Sequence, residues 1–253
     1  MSLLRVEGLQ KSFGGVKAVQ GVSLALAAGE LLALIGPNGA GKTTCFNMLN
    51  GQIRPDAGRV ILAGRDITGL APRAIWRLGV GRTFQITATF GSLSVLENVQ
   101  MALLSHRRAL MRVWAPVSAE DPGPALALLA RVGMAEQAAR PCGVLAYGDL
   151  KRVELAIALA NTPRLLLMDE PTAGMAPKER NNLMALTKQL VIDRGMAVLF
   201  TEHSMDVVFA YADRMIVLAR GRLIAEGKPL EIRDDPKVQE VYFGSGKTFE
   251  KAV

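Results

Sequence analysis

The sequence predicts an α/β fold with a parallel sheet covered by helices, and three regions of the chain support this. The second half alternates short, continuously apolar stretches with segments of helical periodicity, which is typical of parallel strands joined by helices. The first part has short alternating stretches between Gly turns, which predict a β-subdomain. The middle is helical. The apolar stretches, all too short to cross a membrane as helices, are Leu31–Ile35, Leu165–Met168, Met196–Phe200 and Met215–Ala219.

These regions predict a single domain over residues 1–253. Residues 1–93 and 162–253 are predicted to form an α/β core that includes an antiparallel β-subdomain. Residues 94–161 are predicted to form an α-helical subdomain inserted into that core, and residues 228–253 a C-terminal helical tail. The predicted strands of the β-subdomain are Leu3–Glu7, Val16–Ala18, Val22–Leu26 and Arg59–Leu62, and the predicted helices of the inserted subdomain are Val95–Leu104, Ala125–Val132 and Leu150–Ala160.

Composition narrows the class of protein. Half of the 253 residues are hydrophobic, which is enough apolar material for one large domain. Residues 1–10 lack the charged start and apolar stretch of a signal peptide, so none is predicted. Cys45 and Cys142 make no disulfide framework, which favours a reducing compartment and packed thiols.

The net charge leaves several kinds of partner open. A formal charge of +7 suits a nucleotide, a lipid headgroup or nucleic acid, and it also fits a basic surface with no specific partner. Aromatic residues make up only 5% of the chain, and no basic run is interleaved with them. Nucleic-acid binding therefore receives little support.

A glycine-rich segment after the first apolar strand carries the most specific motif. It matches G-x-x-x-x-G-K-[ST], and it stands between a strand and a helix, as that motif requires. Glycines let backbone N–H groups approach phosphate oxygens, and the helix dipole favours the same anion. Lys42 is expected to reach the β- and γ-phosphates, and the Thr43 hydroxyl to bind Mg²⁺. The candidate nucleotide-binding residues are Gly36, Pro37, Asn38, Gly39, Ala40, Gly41, Lys42, Thr43 and Thr44.

Two carboxylates end the second apolar strand. The carboxyl ends of parallel strands face the ligand in such sheets, so Asp169 and Glu170 are expected near the phosphates. Asp169 is placed to hold Mg²⁺ through water, and Glu170 to orient or deprotonate the attacking water. An apolar run before Asp-Glu is by itself a weak signal, because a solvated strand end looks the same. The phosphate loop makes the catalytic interpretation the stronger one.

Five further motifs, in this order along the chain, resemble those of the ABC (ATP-binding cassette) ATPases. The resemblance covers nearly the whole chain and implies a P-loop (RecA-like) parallel-sheet core. The motifs are Phe13 as the adenine-stacking aromatic, Thr83-Phe84-Gln85 as the Q-loop, Leu145-Ala146-Tyr147-Gly148-Asp149 as the signature, Ala173-Gly174-Met175-Ala176 as the D-loop and Glu202-His203 as the switch histidine.

The resemblance also implies roles for single residues. Gln85 would contact Mg²⁺ and the γ-phosphate region. His203 directly follows an apolar strand, which places it at the same sheet edge as Asp169 and supports a γ-phosphate contact. Ordinary alternatives remain: Phe13 as a core residue, Gln85 as a surface amide and His203 as a helix-start residue. The implied sets are Glu170, His203, Gln85 and Lys42 for catalysis, Thr43, Gln85 and Asp169 for the metal, and Ala146, Tyr147, Gly148 and Asp149 for nucleotide contact.

Two residues depart from the general family pattern. Ala146 stands where the signature usually has Ser, so a hydroxyl toward the γ-phosphate is missing. Backbone N–H groups around Tyr147–Asp149 and a helix start at Leu150 could replace it. Ala176 stands where the D-loop usually ends in Asp or Asn, which puts coupling between two cassettes through this loop in doubt.

Finer features resemble the ATPase subunits of branched-chain amino-acid importers. These features include Lys11–Gly15, the variant signature and the tail Asp235–Gly244. The resemblance implies uptake of such amino acids driven by ATP with Mg²⁺, at the cytoplasmic face of a bacterial inner membrane. It implies as partners two multi-spanning permease subunits, a second ATPase subunit in a heterodimer or, less in keeping with the family, a homodimer, and a periplasmic solute-binding protein, with no nucleic acid.

Position along the chain points to a contact surface for the permease, built around Gln85 through about Leu104. The loop Ile86–Gly91, which follows Gln85, carries no charge, and Ile86 and Phe90 would be costly to expose without a partner. We expect this loop to line a groove for a short helix of the transmembrane subunit. The alternative is that both side chains pack under the helical subdomain.

Other functions stay open at this point. Close relatives of the subfamily serve uptake of urea or small carboxylates and export of lipopolysaccharide. A nucleic-acid-associated ABC ATPase is less favoured, because the chain has one phosphate loop and no sustained heptads. A small-molecule phosphotransferase would leave the signature and His203 without a purpose.

Overall fold

The computed structural model describes residues 2–83, 89–106 and 120–243. Phe84, Gln85 and the first half of the loop predicted to contact the permease, Ile86–Ala88, lie outside the described residues. None of the helices in the described ranges is long and apolar enough to cross a lipid bilayer.

One sheet is antiparallel and corresponds to the predicted β-subdomain. In the described residues its strand order is β2-β1-β4-β5. The prediction ended β1 at Glu7 and divided β2 into two strands, which was wrong: register shifts near Gly8 and Gly21, both at positive φ, let the pairing continue as one long hairpin. The strands are β1 (Ser2–Phe13), β2 (Val16–Ala27), β4 (Ala57–Leu62) and β5 (Arg65–Asp66).

The other sheet is the α/β core. Its order in the described residues is β10-β9-β3-β8-β7-β6, with all neighbours parallel except the edge strand β10. Every residue of β3, β7 and β8 is buried, as their continuous apolar runs predict. The strands are β3 (Leu31–Ile35), β6 (Val80–Thr83), β7 (Leu165–Asp169), β8 (Ala197–Thr201), β9 (Arg214–Ala219) and β10 (Arg222–Gly227).

The helices fall into three groups. The core helices are α1 (Lys42–Leu49), α2 (Pro72–Arg77), α6 (Pro177–Arg194) and α7 (Met205–Tyr211), the helices of the inserted region are α3 (Val95–His106), α4 (Gly123–Arg131) and α5 (Tyr147–Ala158), and the tail helices are α8 (Pro229–Arg233) and α9 (Pro236–Phe243). The predicted start of α5 at Leu150 was wrong. The helix begins at Tyr147, and the Leu150 N–H donates to the Ala146 carbonyl at 3.0 Å.

The parallel sheet separates two apolar cores. Leu31, Ala33 and Ile35 of β3 face a core shared with the inserted helices. Leu32 and Leu34 face a second core shared with the β-subdomain. Both cysteines are buried and free, as expected. Burial raises the pKa of Cys45 to about 12, which keeps its thiol protonated and unreactive.

The N-terminus of α6 lacks a side-chain cap because the cap residue is Ala176. Its backbone has the extended conformation of an N-cap, with φ −65° and ψ 151°. The Glu179 carboxylate accepts a hydrogen bond from the Ala176 N–H at 3.3 Å, which is one half of a capping box. A side-chain acceptor at residue 176 would complete the other half.

We therefore expect Ala176→Asp to stabilise the protein by about 1 kcal/mol, because Asp can accept from the free N–H groups of the first turn and favours the helix dipole. Thermal or urea unfolding measures this. The matched control is Ala130→Asp, an exposed position in the last turn of α4, where the same charge opposes the dipole. Equal effects of the two changes would contradict the capping argument.

Candidate active site

The glycine-rich loop connects β3 to α1, and its backbone packs closely against neighbouring strands. Gly36 has φ 153° and Gly41 has φ 100°. A Cβ on Gly36 would lie 2.3 Å from the Leu218 carbonyl oxygen, and one on Gly41 would lie 2.4 Å from that of Ala18. Only glycine fits both positions, so the loop lies directly against β9 and β2 with the N-terminus of α1 behind it.

Lys42 is the cation of this loop. It is 7% exposed, and its Nζ donates to the carbonyl oxygens of Gly36 at 2.7 Å and Pro37 at 3.2 Å. Burial lowers the pKa of Lys42, while the nearby Glu170 and Asp169 carboxylates act in the opposite direction. The ammonium group is therefore held by the loop itself at the point where phosphates are expected.

One cavity brings most of the predicted phosphate-site residues together. Its volume is about 320 Å³. One side is the glycine-rich loop and the start of α1, and the other side is Glu170 and His203. The described residues that line it are Ala18, Asn38, Gly39, Ala40, Gly41, Lys42, Thr43, Thr44, Glu170 and His203.

Asp169 ends β7 beside this cavity, and both of its oxygens accept a hydrogen bond. The Thr201 hydroxyl donates to Oδ1 at 2.8 Å, and an Arg82 nitrogen lies 3.3 Å from Oδ2. The residue is 5% exposed. A buried carboxylate that is hydrogen-bonded on both sides keeps a fixed orientation.

Glu170 and His203 form a pair at the open side of the cavity. Glu170 adopts φ 48°, which is uncommon for a residue with a side chain. Its N–H donates to the carbonyl oxygen of Thr201 at 3.2 Å, and its Oε1 lies 2.9 Å from His203 Nε2. The two predicted catalytic side chains therefore touch, with half of the His203 side chain exposed.

Sequence analysis missed Arg82, which connects three elements behind the site. Its guanidinium donates to Asn47 Oδ1 of α1 at 2.8 Å and to Gln52 Oε1 at 3.1 Å, in addition to Asp169 of β7. Asn47 lies one turn after Thr43 on α1. Arg82 therefore fixes the separation between the two elements that carry Thr43 and Asp169. An arginine within an otherwise buried strand was the available signal.

Thr172 and Glu202 form a second support that sequence analysis did not assign. Glu202 is 3% exposed, and its Oε1 accepts from the Thr172 N–H at 2.8 Å and from the Thr172 hydroxyl at 2.6 Å. The bond joins the segment after Glu170 to the segment before His203. The bond therefore helps to fix the positions of Glu170 and His203 relative to each other.

Phe13 lies at the end of β1 and is 47% exposed, so the alternative that it is a core residue was wrong. The Lys11 ammonium lies 5.6 Å from its ring centroid, and Asp56 holds that ammonium in a 2.7 Å ion pair. Lys11 thus covers one face of the ring. The rest of the ring is accessible, as stacking on a nucleotide base requires.

The residues of the predicted signature lie at the start of α5, apart from the phosphate cavity. Ala146 is the N-cap of α5, Tyr147 is 41% exposed, and Asp149 Oδ2 accepts from Gln137 Nε2 at 3.0 Å. A Cβ on Gly148 would lie 3.0 Å from Glu179 Oε1. Among the described residues that line the phosphate cavity, none comes from this segment.

Comparison with known proteins identifies the family. The family described as "ABC transporter" matches residues 19–173, which is more than half of the chain. The chain belongs to the ABC transporter ATP-binding family. The family described as "Branched-chain amino acid ATP-binding cassette transporter" matches residues 222–248, which include β10, α8 and α9.

Individual relatives agree with this assignment. The chain is 39% identical over 251 residues to the high-affinity branched-chain amino acid transport ATP-binding protein LivG of Salmonella typhimurium, a match that covers 96% of this chain and 98% of LivG. It is also 39% identical over 249 residues to the corresponding protein BraF of Pseudomonas aeruginosa, with 96% and 98% covered. As a member of this family, the chain is an ATPase.

Solved structures show the same fold. A nucleotide-free ATP-binding cassette from an ABC transporter has a TM-score of 0.87 at 33% identity, covering 96% of this chain and 100% of that one. A dimeric cassette in a post-hydrolysis state, bound to ADP and Pi, has a TM-score of 0.76 at 27% identity, covering 89% and 98%. The predicted P-loop α/β fold class is confirmed.

Replacing the catalytic candidate Glu170 by Gln should slow ATP hydrolysis about 10²- to 10⁴-fold, because the amide cannot accept a proton from water. ATP binding should remain, since the loop and Lys42 are unchanged. Phosphate release and nucleotide affinity measure the two effects. The control is Glu136→Gln, the same chemical change at an exposed residue of a remote turn. A Glu170→Gln variant that hydrolyses ATP as fast as this control would remove Glu170 from the mechanism.

Proposed function

We propose that this ATPase drives an importer for branched-chain amino acids at the cytoplasmic face of a bacterial inner membrane. The observation that carries the proposal is its full-length similarity to LivG and BraF, which extends through the tail. The proposed partners are two multi-spanning permease subunits, a second ATPase subunit in a heterodimer, and a periplasmic solute-binding protein. Uptake of urea or a small carboxylate, and lipopolysaccharide export, are the alternatives that a transport assay separates.

The donor atoms at the site fit Mg²⁺ bound together with ATP. Mg²⁺ prefers oxygen ligands and is commonly held by one or two protein oxygens, phosphates and water. The Thr43 hydroxyl is exposed at the start of α1, next to the cavity. Both Asp169 oxygens already accept hydrogen bonds, which favours contact with the metal through water. When bound, Mg²⁺ would neutralise charge on the phosphates.

The chain's own residues account for the remaining steps of hydrolysis. The loop N–H groups and Lys42 would hold the β- and γ-phosphates. Glu170 would orient the attacking water and accept its proton, and His203, which touches Glu170 Oε1, would fix the direction of that carboxylate. The products are then ADP and free phosphate, whereas a phosphotransferase would release ADP and a phosphorylated acceptor.

A second cassette would complete the γ-phosphate contacts. The phosphate cavity is lined by the loop, Glu170 and His203, while Ala146–Asp149 lie apart from it. We propose that each signature faces the ATP held by the other cassette. The start of α5 at Tyr147 supports this in spite of Ala146, because N–H groups of Tyr147–Asp149 form the first helical turn and can face an anion.

The exposed side chain of Phe90 supports the proposed permease contact. It is 59% exposed, so the alternative that it packs under the helical subdomain was wrong. Its N–H donates to Asn98 Oδ1 at 2.8 Å, and its carbonyl accepts from Asn98 Nδ2 at 3.1 Å. Asn98 is 3% exposed and belongs to α3. The ring is thus held outward on a fixed backbone, where a partner can reach it.

Changing Phe90 to Asp should leave ATP binding by the separate subunit intact, because Phe90 is not among the residues that line the phosphate cavity. It should weaken association with the permease and lower transport-coupled hydrolysis, because a charge replaces a buried apolar contact. The control is Ile192→Asp on α6, another exposed apolar side chain, at 66%. Normal association of a folded Phe90→Asp protein would refute the contact.

The proposed substrate is tested by reconstitution. The subunit, its partner cassette, the permease pair and the binding protein are placed in vesicles with ATP and Mg²⁺. We expect leucine uptake to require ATP hydrolysis and to be lost with Glu170→Gln. Uptake of urea in place of leucine, or a phosphorylated small molecule in place of free phosphate, would contradict the proposal.

A further inference from the structure

The segment that carries His203 is tied to the segment that begins at Glu170 by a series of hydrogen bonds. The Glu170 N–H donates to the Thr201 carbonyl oxygen at 3.2 Å. The Thr172 N–H and hydroxyl both donate to Glu202 Oε1. Glu202 Oε2 also accepts from the His203 N–H at 3.1 Å. These bonds fix the backbone of His203 from its N-terminal side.

On the C-terminal side of His203, an arginine of α6 binds the Ser204 hydroxyl. Arg180 Nη1 donates to Ser204 Oγ at 2.7 Å. The Nε–H of the same guanidinium is buried and has no acceptor among the residues that the structure describes. The bond to Ser204 therefore anchors the guanidinium, and it extends the series of links as far as the first turn of α6.

This bond replaces the usual role of a serine at a helix start. Ser204 is the N-cap residue of α7 and has an extended backbone, with φ −79° and ψ 99°. A serine at this position normally accepts from an N–H of the first turn, which stabilises the helix. The Ser204 side chain makes no such bond. Its hydroxyl instead links α7 to α6, at the residue that directly follows His203.

A second hydrogen bond joins the same two helices at the other end of α7. The Tyr211 hydroxyl donates to the Asn181 carbonyl oxygen at 3.0 Å. Both ends of α7 are therefore attached to adjacent residues of α6. The bond at Tyr211 lies a whole helix away from His203 along the chain. It separates the general attachment of α7 from the position of His203, so Tyr211 offers a matched control.

We propose that Arg180 is a positioning residue for His203: through Ser204 it fixes the backbone of His203 and thereby the imidazole that contacts Glu170. Neither Arg180 nor Ser204 is among the described residues that line the phosphate cavity, so the effect falls on hydrolysis and not on nucleotide affinity. The inference rests on the proposed role of His203 in directing the Glu170 carboxylate. It is independent of the transported solute.

The test is a double-mutant cycle of Arg180→Met and Ser204→Ala, measured as phosphate release by the full chain in the assembly in which the parent is active. Each single change removes the same hydrogen bond, so we expect each to lower kcat by about 3- to 10-fold, the size of one net hydrogen bond. The double variant should be no slower than the slower single variant, because the bond can be lost only once. The KM for ATP and the Kd for ADP should keep their parent values. The control Tyr211→Phe should change none of these constants.

Three results would overturn the proposal. One is a folded Arg180→Met protein with the kcat of the parent. Another is an equal fall in kcat for Tyr211→Phe, because the effect would then come from the general attachment of α7. The third is an additive loss in the double variant, which would show that the two side chains act separately. Thermal unfolding checks each protein, and if Arg180→Met does not fold, Ser204→Ala, which removes only a hydroxyl, takes its place against the parent.

A further variant, His203→Ala, separates this inference from the proposed role of His203. If His203→Ala lowers kcat and Arg180→Met does not, the inference alone fails. If His203→Ala hydrolyses ATP at the parent rate, the proposed role of His203 is wrong and the inference fails with it.

Discussion

The parallel register of β3, β7 and β8 is the constraint on which the site depends. Asp169 pairs with Thr201 across β7 and β8, so the Thr201 hydroxyl meets the Asp169 carboxylate. The chain then continues to Glu170 on one strand and to His203 on the other, and these side chains meet at 2.9 Å. A slip of one residue would turn each side chain to the opposite face of the sheet and would separate both pairs.

Holding these strand ends together requires local strain. Glu170 at φ 48° is in a conformation that costs on the order of 1 to 3 kcal/mol for a residue with a Cβ. Its N–H bond to Thr201 and its side-chain contact with His203 offset this cost, and the Glu202–Thr172 bonds hold the following segment. In this conformation Glu170 lines the phosphate cavity.

The parts of the site that follow buried strands could be predicted from sequence, because a strand end has a local pattern and a known position. The phosphate loop, Asp169, Glu170 and His203 are of this kind. The partners of Arg82 could not be predicted, because Asp169 and Asn47 lie far from it along the chain and no periodicity signals such contacts. The edge strand β10 was not predicted either, because it is half-exposed and its sequence has no continuous apolar run. The start of α5 was misplaced because Ala146 and Gly148 are not typical helix-start residues.

Ala176, which departs from the family pattern, lies in the D-loop segment that packs against the start of α5. A Cβ placed on Gly174 would lie 3.5 Å from the Tyr147 ring, and the Glu179 carboxylate lies against Gly148. The start of α5 thus rests on the segment that follows Glu170 in the same chain. That segment is in turn bound to Glu202 through Thr172. The segment after Glu170 and the start of α5 are therefore joined within one chain by packed and hydrogen-bonded residues, without a carboxylate at residue 176. Glu179 accepts a hydrogen bond from the N-cap N–H of α6 and lies against Gly148, so it supplies at this point an acidic group that residue 176 lacks.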